Sequence, residues 1–136
     1  MTIKDLMEQS HATALDKGWW DRPCICLNLA QDAKPLSNCE LCHGTGSVRG
    51  GRNLAELIAL AHSELSEALE ESRSGKPLTE IYFESNGKPC GFTVELADLF
   101  IRILDTAAHY NLPLEDAIKI KMAYNKTRPY RHGKVF

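Results

Sequence analysis

The sequence predicts an all-α domain of the four-helix-bundle type, with a small cysteine-rich insertion between the first and second helices. Three observations carry that prediction. Apolar residues recur at three- and four-residue spacing through four segments of the 136-residue chain, the period of an amphipathic helix. Gly, Pro and Asn punctuate the intervals between those segments. The long stretch without helical periodicity, residues 21–52, holds four of the five cysteines. A chain of this length is one domain of ordinary size, 1–136, with 21–52 as an insertion within it.

The first helix is expected over residues 2–18. Ile3, Leu6, Met7, Ala14 and Leu15 fall at helical spacing, Thr2 is a ready N-cap and Gly18 a ready stop. Trp19 and Trp20 follow, each either anchoring the helix end in the core or offering a flat face to a ligand. Asn53 caps the second helix, and Glu56 stands where it would complete a capping box. Gly75 and Pro77 end that helix. Its apolar face is predicted to be Leu54, Leu57, Ile58, Ala61, Leu65, Ala68 and Leu69.

Residues 75–90 are a loop in which Ile81-Tyr82-Phe83 forms a short strand or an aromatic plug, and Asn86-Gly87 a tight turn. Cys90, with no Cys/His constellation beside it, is expected to be a buried small hydrophobe. The third helix is predicted from Phe92 to Tyr110, with Leu96, Leu99, Phe100, Ile103, Leu104 and Ala107 inward, and Asn111 and Pro113 break it. The fourth runs from Pro113 to Lys126 with Leu114, Ala117, Ile118, Met122 and Ala123 inward, and residues 130–136 form a basic tail.

The acidic residues carry the chemistry. Glu64-Leu65-Ser66-Glu67 and Glu95-Leu96-Ala97-Asp98 each put two carboxylates at i and i+3, on one helix face, with 27 residues between the pairs. Glu64, Glu67 and Glu71 run along one edge of the second helix's apolar face, and Glu95, Asp98, Arg102 and Asp105 along an edge of the third. From Asn53 to Ser72 there are five Glu and no Lys or Arg. Like charges so placed cost about 0.2–0.5 kcal/mol per pair. One such pair is ordinarily a solvated rim. Two pairs on packed helices would gather four carboxylates, the oxygen ligands that hard cations such as Mg²⁺ take.

The two acidic motifs and their spacing resemble the MazG-like, all-α nucleoside triphosphate pyrophosphohydrolases. The likeness extends through Leu114-Glu115-Asp116-Ala117-Ile118 to Lys121-x-x-x-Asn125, and covers about Asn53 to Gly133 and, more weakly, the first helix. It implies Mg²⁺-dependent hydrolysis of (deoxy)nucleoside triphosphates to the monophosphate and pyrophosphate, by water attack at the α-phosphorus. Glu64, Glu67, Glu95 and Asp98 would hold the metal, and one of them, with Glu67 our choice among the four, would orient or deprotonate the water. Lys121 and Asn125, and more weakly Arg128, would contact the phosphate chain. In members that act on deoxycytidine nucleotides a His on the first helix and a Trp nine residues later contact the base. His11 and Trp20 stand at that spacing. Members assemble as homodimers or homotetramers with sites built between subunits.

Within residues 21–52 lie Cys24-Ile25-Cys26 and Cys39-Glu40-Leu41-Cys42, followed by His43-Gly44-Thr45-Gly46. The C-x-x-C-x-G-x-G run resembles half of the cysteine-rich zinc module of DnaJ-type chaperones. Four thiolates in two close pairs suit tetrahedral Zn²⁺ of a structural kind, although the first pair is C-x-C and His43 is an alternative to one cysteine. Free or redox-active thiols are the competing reading, disfavoured because no βα context surrounds the motif.

Composition narrows the partners. Formal net charge is −2, so bulk electrostatics do not favour nucleic acid or a membrane. The charge is unevenly placed. After Asp116 there is no acid, but there are Lys119, Lys121, Lys126, Arg128, Arg131 and Lys134, a segment suited to an anion. No apolar run approaches the length of a membrane span, and the first residues lack the order of a signal peptide, so a cytoplasmic protein is expected. The alternative to a hydrolase is a binding module: a zinc knuckle for nucleic acid or protein on an inert helical bundle.

Overall fold

The computed structural model describes residues 1–28, 34–35 and 37–129. The chain is mostly helical: α1 is Ile3–Asp16, α2 Leu54–Arg73, α3 Phe92–His109 and α4 Leu114–Thr127. Among the described residues two antiparallel ribbons accompany them, β1 (Asp21–Pro23) with β2 (Ser47–Arg49) and β3 (Tyr82–Phe83) with β4 (Pro89–Cys90). A 3₁₀ turn, Ile25–Asn28, follows β1. The basic tail, with Arg131 and Lys134, lies outside the described residues.

Local chemistry sets the helix ends. Thr2 and Asp5 form a reciprocal capping box: the Asp5 N–H donates to Thr2 Oγ1 at 3.1 Å and the Thr2 N–H to Asp5 Oδ2 at 2.7 Å. Gly18 takes the left-handed conformation (φ +69°), so its N–H bonds the Leu15 carbonyl and the Trp19 N–H the Ala14 carbonyl. This Schellman turn reverses the chain so that Trp20 enters the core. Asn53 caps α2 through its side chain, with the Glu56 N–H donating to Oδ1 at 2.9 Å. The reciprocal half of the predicted box is replaced by an ion pair of Glu56 with Arg52 at 3.6 Å.

Helix α3 is central, packed on α2 along one side and α1 along the other, whereas α4 makes a thin contact with α1 and buries no residue. The predicted four-helix core is therefore corrected to a three-helix layer with α4 at its side. Leu114 and Ile118 of α4 are half-buried, but Ala117, Met122 and Ala123, expected inward, are exposed.

The predicted apolar face of α2 is corrected as well. The side that meets the rest of the chain carries Leu57, Glu64 and Ala68, while Leu54, Ile58, Leu65 and Leu69 are 47–52% exposed. On α3 the buried set is Glu95, Leu104, Asp105 and Ala107, and Leu96, Phe100 and Ile103 are uncovered. The physical reason is that α2 and α3 meet through the edges of their apolar stripes. That rotation brings their acidic edges into the interface and leaves the middle of each stripe facing out. Cys90 is buried, as expected of a small hydrophobe.

Candidate functional site

Glu64 of α2 and Glu95 and Asp98 of α3 each bring a carboxylate oxygen to within 4.8 Å of the others. Glu64 and Glu95 are each only 5% exposed, and Asp98 sits nearer solvent. Burial, followed by repulsion from Glu67 and Asp98, pushes the Glu95 carboxyl up from its ordinary value. Burial and then Glu64 do the same to Asp98. One cation already meets this group: Arg102, one turn beyond Asp98, places Nε 2.5 Å from Glu64 Oε1.

The trio floors a cleft of about 290 Å³. Glu67 lines the same cleft but is exposed and stands outside the close trio. Lys88 approaches from the β3–β4 ribbon, and Trp19 and Ile101 make an apolar wall. An all-oxygen, largely buried donor set of three carboxylates suits a hard divalent cation, and the apolar wall beside it suits a flat ring.

Trp20 and His11 occupy a different environment. Trp20 is 2% exposed; its ring stacks on His109 at 3.7 Å between centroids, and its Nε1–H donates to both oxygens of Asp105 at 3.0 and 3.1 Å. His11 Nδ1 bonds the same carboxylate at 2.6 Å. Of the two roles open to Trp20, the structure shows the anchoring one: one face of its ring is stacked on His109 and its N–H is held by Asp105. The tryptophan at the cleft is Trp19, which is 45% exposed.

The α4 residues lie apart. Lys121 and Asn125 are exposed, the Lys121 ammonium stands 5.2 Å from the Tyr124 ring, and the Arg128 guanidinium 5.8 Å from the same ring. Among the described residues of one chain, none of the three lines the carboxylate cleft.

The cysteines form the second centre. Cys24, Cys26, Cys39 and Cys42 each place Sγ within 4.8 Å of the others, with Cys24–Cys39 at 3.7 Å and Cys26–Cys42 at 3.6 Å. None of the four is joined in a disulfide. A zinc–sulfur bond of about 2.3 Å sets the sulfur–sulfur edge of a tetrahedron at about 3.8 Å, so the spacing fits a metal such as zinc. Backbone geometry supports the group. The Thr45 N–H caps the Cys42 carbonyl at 2.9 Å, the Cys24 N–H donates to the Gly46 carbonyl at 2.8 Å, and the β1–β2 ribbon closes the base. Burial pushes the Cys42 thiol up, but the Gly46 amide and the neighbouring thiols outweigh it and bring it down to about 6. Burial and the thiols of Cys39 and Cys42 hold Cys24 above its ordinary value, against the Cys26 amide, the largest single influence, which lowers it. His43 is exposed and stands outside the sulfur group, so the four cysteines are the available donor set.

Comparison with protein-family models, with curated proteins and with solved structures finds no match to this chain.

Three residues that matter to these sites were not picked out as such from the sequence, whereas Trp19 was left open between core anchor and ligand face. Arg102 and Asp105 carried a signal, since both fall on the acidic edge of α3 with Glu95 and Asp98. Lys88 carried none, because only the ribbon's return brings it over α2 and α3.

Proposed function

We propose that the protein hydrolyses (deoxy)nucleoside triphosphates to the monophosphate and pyrophosphate, with Glu64, Glu95 and Asp98 holding Mg²⁺ and Glu67 at the edge of the same site. The observation that carries this reading is the carboxylate trio. Three acids from two helices converge, two of them buried, at a real cost in repulsion and desolvation that a divalent cation would relieve. When bound, the metal would supply charge neutralisation on the phosphate oxygens. Glu67, exposed at the cleft and not drawn into the trio, would orient or deprotonate water. The wall of Trp19 and Ile101 gives a flat base an apolar surface.

The resemblance to the MazG-like family supplies the choice of α-phosphorus and the homodimeric or homotetrameric assembly. The uncovered leucines of α2 and apolar residues of α3 favour such an assembly. Lys121, Asn125 and Arg128 would reach a phosphate chain in this cleft from a second copy. The four cysteines would hold a structural Zn²⁺ that orders the insertion between the first and second helices and performs no chemistry.

Hydrolysis in ¹⁸O-labelled water tests the bond cleaved. Label in the monophosphate supports attack at the α-phosphorus. Label in pyrophosphate or orthophosphate contradicts it.

A second reading, a binding module, is favoured by Ile25 and Leu41, which stand 63% and 67% exposed beside the sulfur group. It predicts that Glu64 and Asp98 can be replaced without functional effect.

A further inference from the structure

The β3–β4 ribbon brings the exposed Lys88 to the lining of the carboxylate cleft on a fixed backbone. The Lys88 N–H donates to Asn86 Oδ1 at 2.7 Å, and its carbonyl accepts from the Glu84 N–H at 3.0 Å. The ribbon is tied to α2 by Tyr82 Oη donating to Glu71 Oε1 at 2.9 Å, and the segment that leads into it is tied to α3 by Thr93 Oγ1 donating to the Leu78 carbonyl at 2.8 Å. Gly91, at φ +122°, closes its base where a Cβ would lie 2.4 Å from the Glu80 carbonyl oxygen.

Among the described residues two cations, Arg102 and Lys88, line the cleft, and they differ in commitment. Arg102 is engaged on Glu64. Lys88 faces Glu67, Glu95 and Asp98, with Glu84 and Glu71 in the adjoining groove. Even so, among the described residues its ammonium makes no ion pair within 4.0 Å. Cys90, Glu95 and Glu84 hold it above its ordinary value, so it stays charged. A charged lysine near several carboxylates but joined to none is free to take another anion. Its four-carbon stem lets it follow a ligand as a point charge.

We propose that Lys88 is a phosphate-binding residue of the cleft, its ammonium contacting the pyrophosphate portion of a polyphosphate substrate whose metal sits on the carboxylate trio. This rests on the hydrolase reading above. It yields a signature of opposite signs. Toward the metal alone, Lys88 is a like charge that weakens binding. Toward metal plus pyrophosphate, it is an attractive contact.

Calorimetry on the full chain tests this with Mg²⁺ alone, and then with inorganic pyrophosphate in saturating Mg²⁺, for the wild type, Lys88→Ala and Lys88→Arg. Lys88→Ala is expected to bind Mg²⁺ as well as the wild type or more tightly, and pyrophosphate about tenfold or more weakly, the loss of one charged contact. Lys88→Arg should recover most of the loss. Equal pyrophosphate affinity in the wild type and Lys88→Ala, with Mg²⁺ binding intact, overturns the assignment and leaves the hydrolase reading standing. Loss of Mg²⁺ and pyrophosphate together in Lys88→Ala overturns it too, because the lysine would then be structural. A wild type that binds neither probe removes the hydrolase reading itself.

Discussion

Arg102 Nε stands 2.5 Å from Glu64 Oε1, and this ion pair ties α3 to α2 at the point where three carboxylates meet. The pair balances one of the charges that the helix interface has taken out of water. It also means that a divalent cation entering the trio meets a guanidinium already there.

Replacing Arg102 with Gln removes that balance. The loss expected without metal lies between the ~1 kcal/mol of an exposed pair and the ~3–5 kcal/mol of a buried one, since Glu64 is buried and Arg102 partly solvated. Mg²⁺ should restore most of it by taking over the role of the guanidinium. Thermal unfolding in EDTA and in Mg²⁺ measures this, and an equal loss in both would count against a metal at the trio.

The pH response of the metal-free protein has a definite sign. Glu95 and Asp98 have folded values raised above their ordinary 4.5 and 3.8. The unfolded chain therefore releases these protons first, so their contribution to stability falls as pH rises above those ordinary values through the raised ones. Glu95→Gln should flatten that fall and leave the metal-free protein more stable at neutral pH than the wild type. Denaturant midpoints in EDTA between pH 4 and 7 check it. In the same range Mg²⁺ affinity should rise with pH, because the metal must displace the protons.

The cysteine group predicts a metal content. The chain isolated without chelator should carry a single zinc ion, and Cys42→Ser should lose it. Stripping zinc should alter tryptophan fluorescence while the far-ultraviolet helix signal persists, because the β1–β2 ribbon is pinned to Trp20 by the Gly50 N–H at 2.9 Å, whereas α1, α2 and α3 pack without the module. Zinc-free protein with unchanged spectra would refute a structural metal.

Asp105 is expected to be a stability residue. It accepts from Trp20 Nε1 and bonds His11 Nδ1, so Asp105→Ala leaves two groups without their partner, one of them buried. Each buried group so orphaned costs about 1–3 kcal/mol. Trp20→Phe keeps the stack on His109 but loses the donor, and should cost less than Asp105→Ala. Equilibrium denaturation ranks the two, and the reverse order would contradict the role given to the carboxylate.

How much of this was legible in the sequence differs by element. The four helices were, because caps and breakers act locally: Thr2, Gly18, Asn53 and Gly75 sit at or beside the helix ends. The sulfur group was legible too, because two close pairs fix their own geometry. The rotation of α2 against α3 was not. A helical wheel ranks Leu65 and Leu69 inward with Leu57 and Ala68, and only the packing of α3 decides that Glu64 joins Leu57 and Ala68 at the interface while Leu65 and Leu69 are left out. The fate of the tryptophans was hidden for a similar reason. Adjacent residues point to different sides of a turn, and which of the pair finds Asp105 and His109 is a tertiary fact.

Metal-dependent cleavage at the Glu64–Glu95–Asp98 trio is tested by pyrophosphate release from a panel of canonical and modified nucleoside triphosphates, in Mg²⁺ and in EDTA, for the wild type, Glu64→Gln and Glu95→Gln. Release is expected from the wild type in Mg²⁺ only, with both variants reduced by at least about a hundredfold, the scale of losing a metal-based transition-state contact. No release from any nucleotide, or release that persists in EDTA or in the variants, would contradict it.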